Sequence, residues 1–242
     1  MCGAAVPCAA MRRDMAGVCE SCDIRHLSFC AGLDDAHADG LERIRATVAL
    51  TAGDSLFMEG DPATTVYNLT EGALRVYKLL PDGRRQITGF ALPGDFVGLS
   101  ADGAYAYGAE AIIDARLCRF VRPQLETLFR NHPEVERRLL AITGDALVAA
   151  QDHMLLLGRM TPVEKVAAFL LRLAERAGRL GRAEGPLILP MSRGDIADFL
   201  GLTVETVSRT FTRLRTEGVI ALPQPDEVHI GDLDGLRDLL PG

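Results

Sequence analysis

The stretch MSRGDIADFLGLTVETVSRTFTRLRTEGVIAL, Met191–Leu222, holds two helical patterns divided by a single glycine. Ser192 can cap a short helix through Leu200, and Thr203 can cap a second through about Glu217. Gly201, between them, can adopt the positive φ that a tight turn needs, and small Ala197 lets the two helices cross closely. Val207 takes the buried apolar position, with Ile196, Leu200, Leu202 and Leu214 filling the underside. Gly218 ends the second helix, and VIALPQPDEVHI, residues 219–230, reads as a β-hairpin with a proline-containing turn. Helix, turn, helix and wing in this order predict a winged helix-turn-helix.

The outward face of the second helix carries Glu205, Ser208, Arg209, Thr212 and Arg213. An arginine there can make a bidentate contact to guanine, and a glutamate can accept from a cytosine amino group or orient that arginine. Thr203 and the helix N-terminus suit phosphate. A merely solvated polar face is the bland alternative, and the complete motif argues for DNA reading. The formal net charge of −7 argues against a chain coated in basic surface, but a small local basic face suffices for DNA.

Working outward, Val48–Phe120 consists of short apolar runs with glycines at 53, 60, 72, 83 and 94, which predict an antiparallel barrel or sandwich. From Pro123 the character becomes helical. Leu140, Thr143, Leu147, Ala150, Met154 and Leu157 alternate steps of three and four, an a/d seam that favours a helix pair. A single helix packed on its own barrel fits this short stripe equally well. From Thr161 a separate small domain begins, with Thr161 as N-cap, Pro162 at the first helical position and Glu164 in the first turn.

The chain has no run of 18 apolar residues and no signal-peptide pattern, so the expected address is the cytoplasm and no membrane is expected as a partner. In a reducing compartment clustered cysteines suggest metal or redox chemistry rather than disulfides. CESCDIRHLSFC, Cys19–Cys30, places three thiols at Cys19-x2-Cys22-x7-Cys30, with a further one far away at Cys118. Four thiolates can hold a zinc ion or an iron–sulfur cluster, and spacing alone does not choose between these and a thiol switch. His26 is a possible alternative ligand, although an exposed loop histidine is the simpler reading. The five histidines show no metal-enzyme spacing, and Gly-x-Ser-x-Gly, P-loop and dinucleotide fingerprints are all missing, so no enzyme is expected.

Barrel, long helix and winged helix in this order resemble the cyclic-AMP receptor protein superfamily of transcription factors, over nearly the whole chain. GLTVETVSR, Gly201–Arg209, resembles the recognition-helix signature of its FNR branch, with Glu205, Ser208 and Arg209 in the base-reading positions. QDHMLLLGRMTPVEKVAAFLLRL, Gln151–Leu173, resembles the end of the family's dimer helix and its hinge. The resemblance implies an α+β chain: an N-terminal cysteine arm over 1–35, a jelly-roll β-barrel over 36–132, a dimerisation helix over 133–160 and the winged helix-turn-helix over 161–242. It also implies a homodimer on palindromic TTGAT-type DNA and contact with RNA polymerase through PDGRRQ, Pro81–Gln86.

For the cysteines it implies an oxygen-labile 4Fe-4S cluster on Cys19, Cys22, Cys30 and Cys118, with a wide second gap like that of FnrN/FnrL-type members. Cys2 and Cys8 are then spare thiols. Cyclic-nucleotide binders of the superfamily follow a Gly-Glu turn with an arginine for the phosphate. Here PGDFVGLSADGAYAYGAEAI, Pro93–Ile112, has Asp95 in place of the glutamate and neither arginine nor lysine, so no cyclic nucleotide is expected. Sensing by thiol redox, zinc, or haem with nitric oxide keeps the same fold, and a barrel metal-binding signalling protein is the reading from another class.

Overall fold

The computed structural model describes residues 19, 22–33, 38–100, 102–181 and 185–241; Cys2 and Cys8 lie outside them. Two 3₁₀ turns, Arg25–Leu27 and Phe29–Gly32, precede α1 (Ala38–Ile44). The barrel strands follow: β1 (Arg45–Leu50), β2 (Ser55–Phe57), β3 (Thr65–Leu79), β4 (Arg85–Ala91), β5 (Phe96–Val97) and β6 (Gly108–Val121). All pair antiparallel, with the long β6 lying between β1 and β3. Next come α2 (Arg122–Asn131), the 27-residue α3 (Pro133–Arg159) and α4 (Pro162–Arg179). The C-terminal unit adds β7 (Leu187–Ile188), α5 (Arg193–Leu200), α6 (Val204–Thr216), β8 (Ile220–Gln224), β9 (Glu227–Ile230) and α7 (Leu233–Asp238). The expected α+β architecture, barrel then long helix then winged helix-turn-helix, is the one observed.

Alternation along β6 sorts two environments. Ala115 and Leu117 point into the barrel with Leu69 and Leu74, where Phe57 stacks on Tyr105 at 3.7 Å between ring centroids. Cys118 and Phe120 point the other way, into a second core with Phe29, Leu33, Leu125 and Val135. Phe29, fully buried, meets Phe96 and Phe120 edge-on at 5.4 and 5.3 Å. Two glycines let the cysteine arm come this close. A Cβ on Gly94 would lie 2.8 Å from Leu27 Cβ, and one on Gly32 would lie 2.7 Å from Val135 Cα. Gly32 thus fits the arm directly against the start of α3.

The helix-turn-helix forms as its caps dictate. Ser192 Oγ accepts from the Asp195 N–H while the Asp195 carboxylate accepts from the Ser192 N–H, a reciprocal capping box. Gly201 ends α5 at φ 61°, and Thr203 Oγ1 accepts from the Thr206 N–H at 3.1 Å. Ile196, Leu200, Val207, Phe211 and Leu214 bury against Val166 and Leu170 of α4.

This unit rests on the barrel. Arg75 on β3 pairs with Glu110 on β6 and with Asp195 at 3.3 Å, and Gln86 Nε2 donates to the Asp198 carbonyl at 2.6 Å. Phe199 stacks on His153 of α3 at 4.1 Å and meets Phe90 of β4 at 5.2 Å. The buried Lys165 amine donates to Leu157 O at 3.2 Å and Leu200 O at 3.1 Å, tying the end of α3 to the turn of the helix-turn-helix.

Gly32→Ala tests the arm docking. The added methyl overpacks a backbone contact and costs about 1–3 kcal/mol of docking. Limited proteolysis is expected to cut N-terminal to α1 faster than in the wild type, while the thermal transition of the barrel and C-terminal unit moves little.

Candidate functional site

Cys118 sits in the middle of a cross-strand row, paired with Thr47 of β1 on one side and Asn68 of β3 on the other. Opposite residues of antiparallel strands share a face, so all three side chains lie on the side that the arm covers. Buried Asn68 donates from Nδ2 to Cys30 Sγ at 3.4 Å, which sets Cys30 directly over this row. Ser28 Oγ fixes the turn by accepting from the Cys30 N–H at 3.2 Å. Cys19 and Cys22 complete the group, since Cys30 and Cys118 both feel the charge of each. The structure therefore brings together the four cysteines singled out in the sequence, three from the arm and one from β6. His26 is not among them; its Nε2 lies 3.3 Å from the Arg179 carbonyl on α4.

Burial raises the thiols: Cys30 to about 12, Cys118 to about 11, and Cys19 above its ordinary value. The charge of Arg45, at the start of β1, opposes this at Cys19 and Cys118. Among the described residues no three of His, Cys, Asp and Glu converge as one metal ion requires. A tetrahedral zinc with bonds of about 2.3 Å needs its sulfurs within about 3.8 Å of one another. A four-iron cluster takes an all-sulfur donor set, which these four cysteines supply.

On α6, Glu205, Ser208, Arg209 and Arg213 project to solvent while Val207, Thr210, Phe211 and Leu214 are buried. Glu205 Oε1 holds Arg209 Nη2 at 2.6 Å, and Glu217 holds Arg213 Nε at 2.7 Å. The first pair pre-aims an arginine from the exposed face. Thr203 is committed to its cap, leaving its position at the helix N-terminus rather than a free hydroxyl.

Comparison with known proteins gives the same two halves. The cyclic nucleotide-binding domain matches residues 47–132, and the Crp-like helix-turn-helix domain matches 164–239. The nitrogen fixation regulation protein FixK of Bradyrhizobium diazoefficiens is 47% identical over 204 residues, 84% of this chain and 86% of its own. The chain belongs to the Crp/FNR family of transcription regulators. The transcriptional activator protein FnrL of Cereibacter sphaeroides is 39% identical over 224 residues, 91% of this chain and 90% of its own. The solved structure of FixK2 from Bradyrhizobium japonicum superposes with a TM-score of 0.77 at 40% identity, covering 82% of this chain and 98% of that one.

In a Crp/FNR member the outer face of α3 calls for a partner. Leu140, Leu147 and Met154 are 61–70% exposed, and Ala150 is exposed beside them. Val148 and Leu155, which the a/d series omits, are exposed as well and widen the stripe. Thr143 donates to the Leu139 carbonyl at 2.9 Å. Leu157, 39% exposed, continues the series and also approaches the helix-turn-helix, 3.2 Å from where Gly201 would carry a Cβ. By length and hydropathy α3 could also cross a membrane, but Asp145 and Asp152 stand in its middle, where hydrocarbon would be costly.

Sequence reasoning passed over Arg45, Asn68 and the Arg75–Glu110–Asp195 network. A polar residue inside the apolar run VYNL was the available signal for Asn68; the others need the strand register. Asp95, expected where nucleotide binders have glutamate, accepts from the Leu92 N–H and pairs with Arg176 of α4 at 2.6 Å.

The raised thiols make a prediction for metal-free protein. At pH 8 the thiolate fraction of a group near 11 is about a hundredfold below that of one near 9. Iodoacetamide should modify Cys118 about a hundredfold and Cys30 about a thousandfold more slowly than the same thiols in urea, as peptide mass spectrometry would record. Equal rates would mean that these thiols are not buried.

Proposed function

We propose that this protein is an oxygen-responsive, homodimeric transcription regulator of the cytoplasm, in which Cys19, Cys22, Cys30 and Cys118 hold a 4Fe-4S cluster. The observation that carries this reading is the place where the four thiols gather: between the arm and β6, beside the contact of Gly32 with the first turn of α3. When bound, such a cluster supplies an oxygen-labile centre on the four sulfurs. The residues do the rest. Three cysteines fasten the arm to the strand that carries the fourth, and Phe29 and Gly32 transmit the arm's position to Val135 at the base of α3. With those sulfur bonds lost, the aromatic and glycine contacts hold the arm by themselves. A coupling of about 2.7 kcal/mol between arm and seam changes dimer formation roughly a hundredfold.

In the dimer the exposed stripe of Leu140, Leu147, Val148, Met154 and Leu155 is covered by its copy. Two α6 helices then face DNA about 34 Å apart, one turn of the duplex, which matches a palindrome of TTGAT-type half-sites. Arg209, steered by Glu205, reads a guanine, and Ser208 and Arg213 flank it. The exposed Pro81–Arg84 end of the β3–β4 hairpin supports contact with RNA polymerase, whereas Arg85 and Gln86 are engaged with α5. The barrel interior, filled by Phe57, Tyr67 and Tyr105, supports signalling without a cyclic nucleotide.

Anaerobic reconstitution with iron and sulfide tests the sensor. The wild type is expected to take up iron and acid-labile sulfide in equal amounts, with cluster absorbance that air bleaches, while Cys22→Ser loses both. Zinc, haem or thiol chemistry would each give a different metal and sulfide analysis, and an unchanged Cys22→Ser spectrum would overturn the ligand set.

Arg209→Ala is expected to weaken binding to the palindrome by about 1–3 kcal/mol and to relax preference at one base position. Fluorescence anisotropy against a set of single-base variants measures both. Equal loss on every sequence would make Arg209 a phosphate contact.

A further inference from the structure

Arg45 is a buried charge whose partners do not account for it. Its side chain is only 6% exposed, yet its carboxylate contact, Glu42 Oε1, lies at 3.7 Å. Nη1 donates to Thr47 Oγ1 at 3.1 Å, a neutral acceptor, and Nε is buried with no partner. A guanidinium taken out of water without full pairing is costly unless another anion answers it.

The strand register shows where that anion belongs. Arg45 pairs with Phe120 and Thr47 with Cys118, so Arg45 and Cys118 share one face of the sheet in adjacent rows. The guanidinium is held at Thr47 Oγ1, and Thr47 is the cross-strand partner of Cys118, so the charge stands beside that sulfur, a weak acceptor as a neutral thiol. As a thiolate it would be a strong one.

We infer that Arg45 is the counter-charge of the cysteine site, a positioning residue that answers the negative charge gathered there when the sulfurs bind as thiolates. The inference rests on the iron–sulfur reading above and extends it. Four thiolates outweigh the positive charge of a four-iron core, so the loaded site is anionic. A fixed cation beside it favours the electron-rich state, which raises the reduction potential and makes oxidation in air slower.

The test compares wild type with R45Q, R45M and R45K after anaerobic reconstitution. Iron and sulfide content, midpoint potential and absorbance half-life in air are measured. R45Q keeps a hydrogen-bonding group without the charge and serves if Met prevents folding. Loss of charge is expected to lower the potential by a tenfold shift in the one-electron equilibrium, about 59 mV, and to shorten the air half-life severalfold. R45K should recover most of both. Wild-type potential and half-life in R45Q and R45M would overturn the inference while leaving the cluster in place. If wild type takes up neither iron nor sulfide, the iron–sulfur reading fails, and alkylation of Cys118 at pH 8 then decides for Arg45. Slower modification in R45Q than in wild type keeps Arg45 as the partner of a thiolate, and equal rates overturn it.

Discussion

Everything that lets this chain act as one device passes through the burial of Phe29. Its ring, wedged edge-on between Phe96 and Phe120, fastens the short arm to the barrel. Burial of an aromatic side chain of this size supplies about 1.5–3 kcal/mol, enough to dock a segment and not enough to make the docking permanent. The same face of β6 presents Cys118 two residues away, so the contact that docks the arm also assembles the thiols. Gly32 extends the consequence to α3, where bare backbone meets backbone. One weak hydrophobic contact thus joins chemistry at sulfur to the position of a long helix.

The opposite end of the molecule is held by charge as well as by apolar area. Asp195 completes the capping box of α5 and also answers Arg75 across the domain boundary, so one carboxylate serves the helix-turn-helix and its docking. Arg176 does similar work by joining α4 to Asp95, in the loop whose Gly94 touches Leu27 of the arm. The arm therefore contacts both bodies, since the His26 ring also approaches the Arg179 carbonyl. The arm thus touches α3 through Gly32 and, through Gly94, the loop whose Asp95 pairs with Arg176 of α4.

How much of this was legible in the sequence depends on the range of the interaction. Caps, turns and the exposed face of α6 are set within a few residues, so Ser192, Gly201, Thr203 and the Glu205–Arg209 pair could be read directly. The convergence of Cys118 with the arm could not be read from spacing, because it depends on β6 lying between β1 and β3; family resemblance supplied it. Arg45 and Asn68 escaped for the same reason, since their places beside Cys118 follow from the strand register. Leu157 fits the a/d spacing and is 39% exposed, and it also nears the helix-turn-helix, where Gly201 leaves room for it.

Several basic groups of this acidic chain are paired or turned inward. Arg75, Arg85 and Arg176 hold the domains together, and Arg45 is turned inward. Arg209 remains exposed on α6 and even it is partnered by Glu205. A paired arginine gains little from approaching random phosphate, because its own carboxylate approaches too. It gains most where a base edge offers a bidentate acceptor to the guanidinium and an amino group to the glutamate. Under the function proposed above, the internal pair would favour sequence reading over nonspecific attraction.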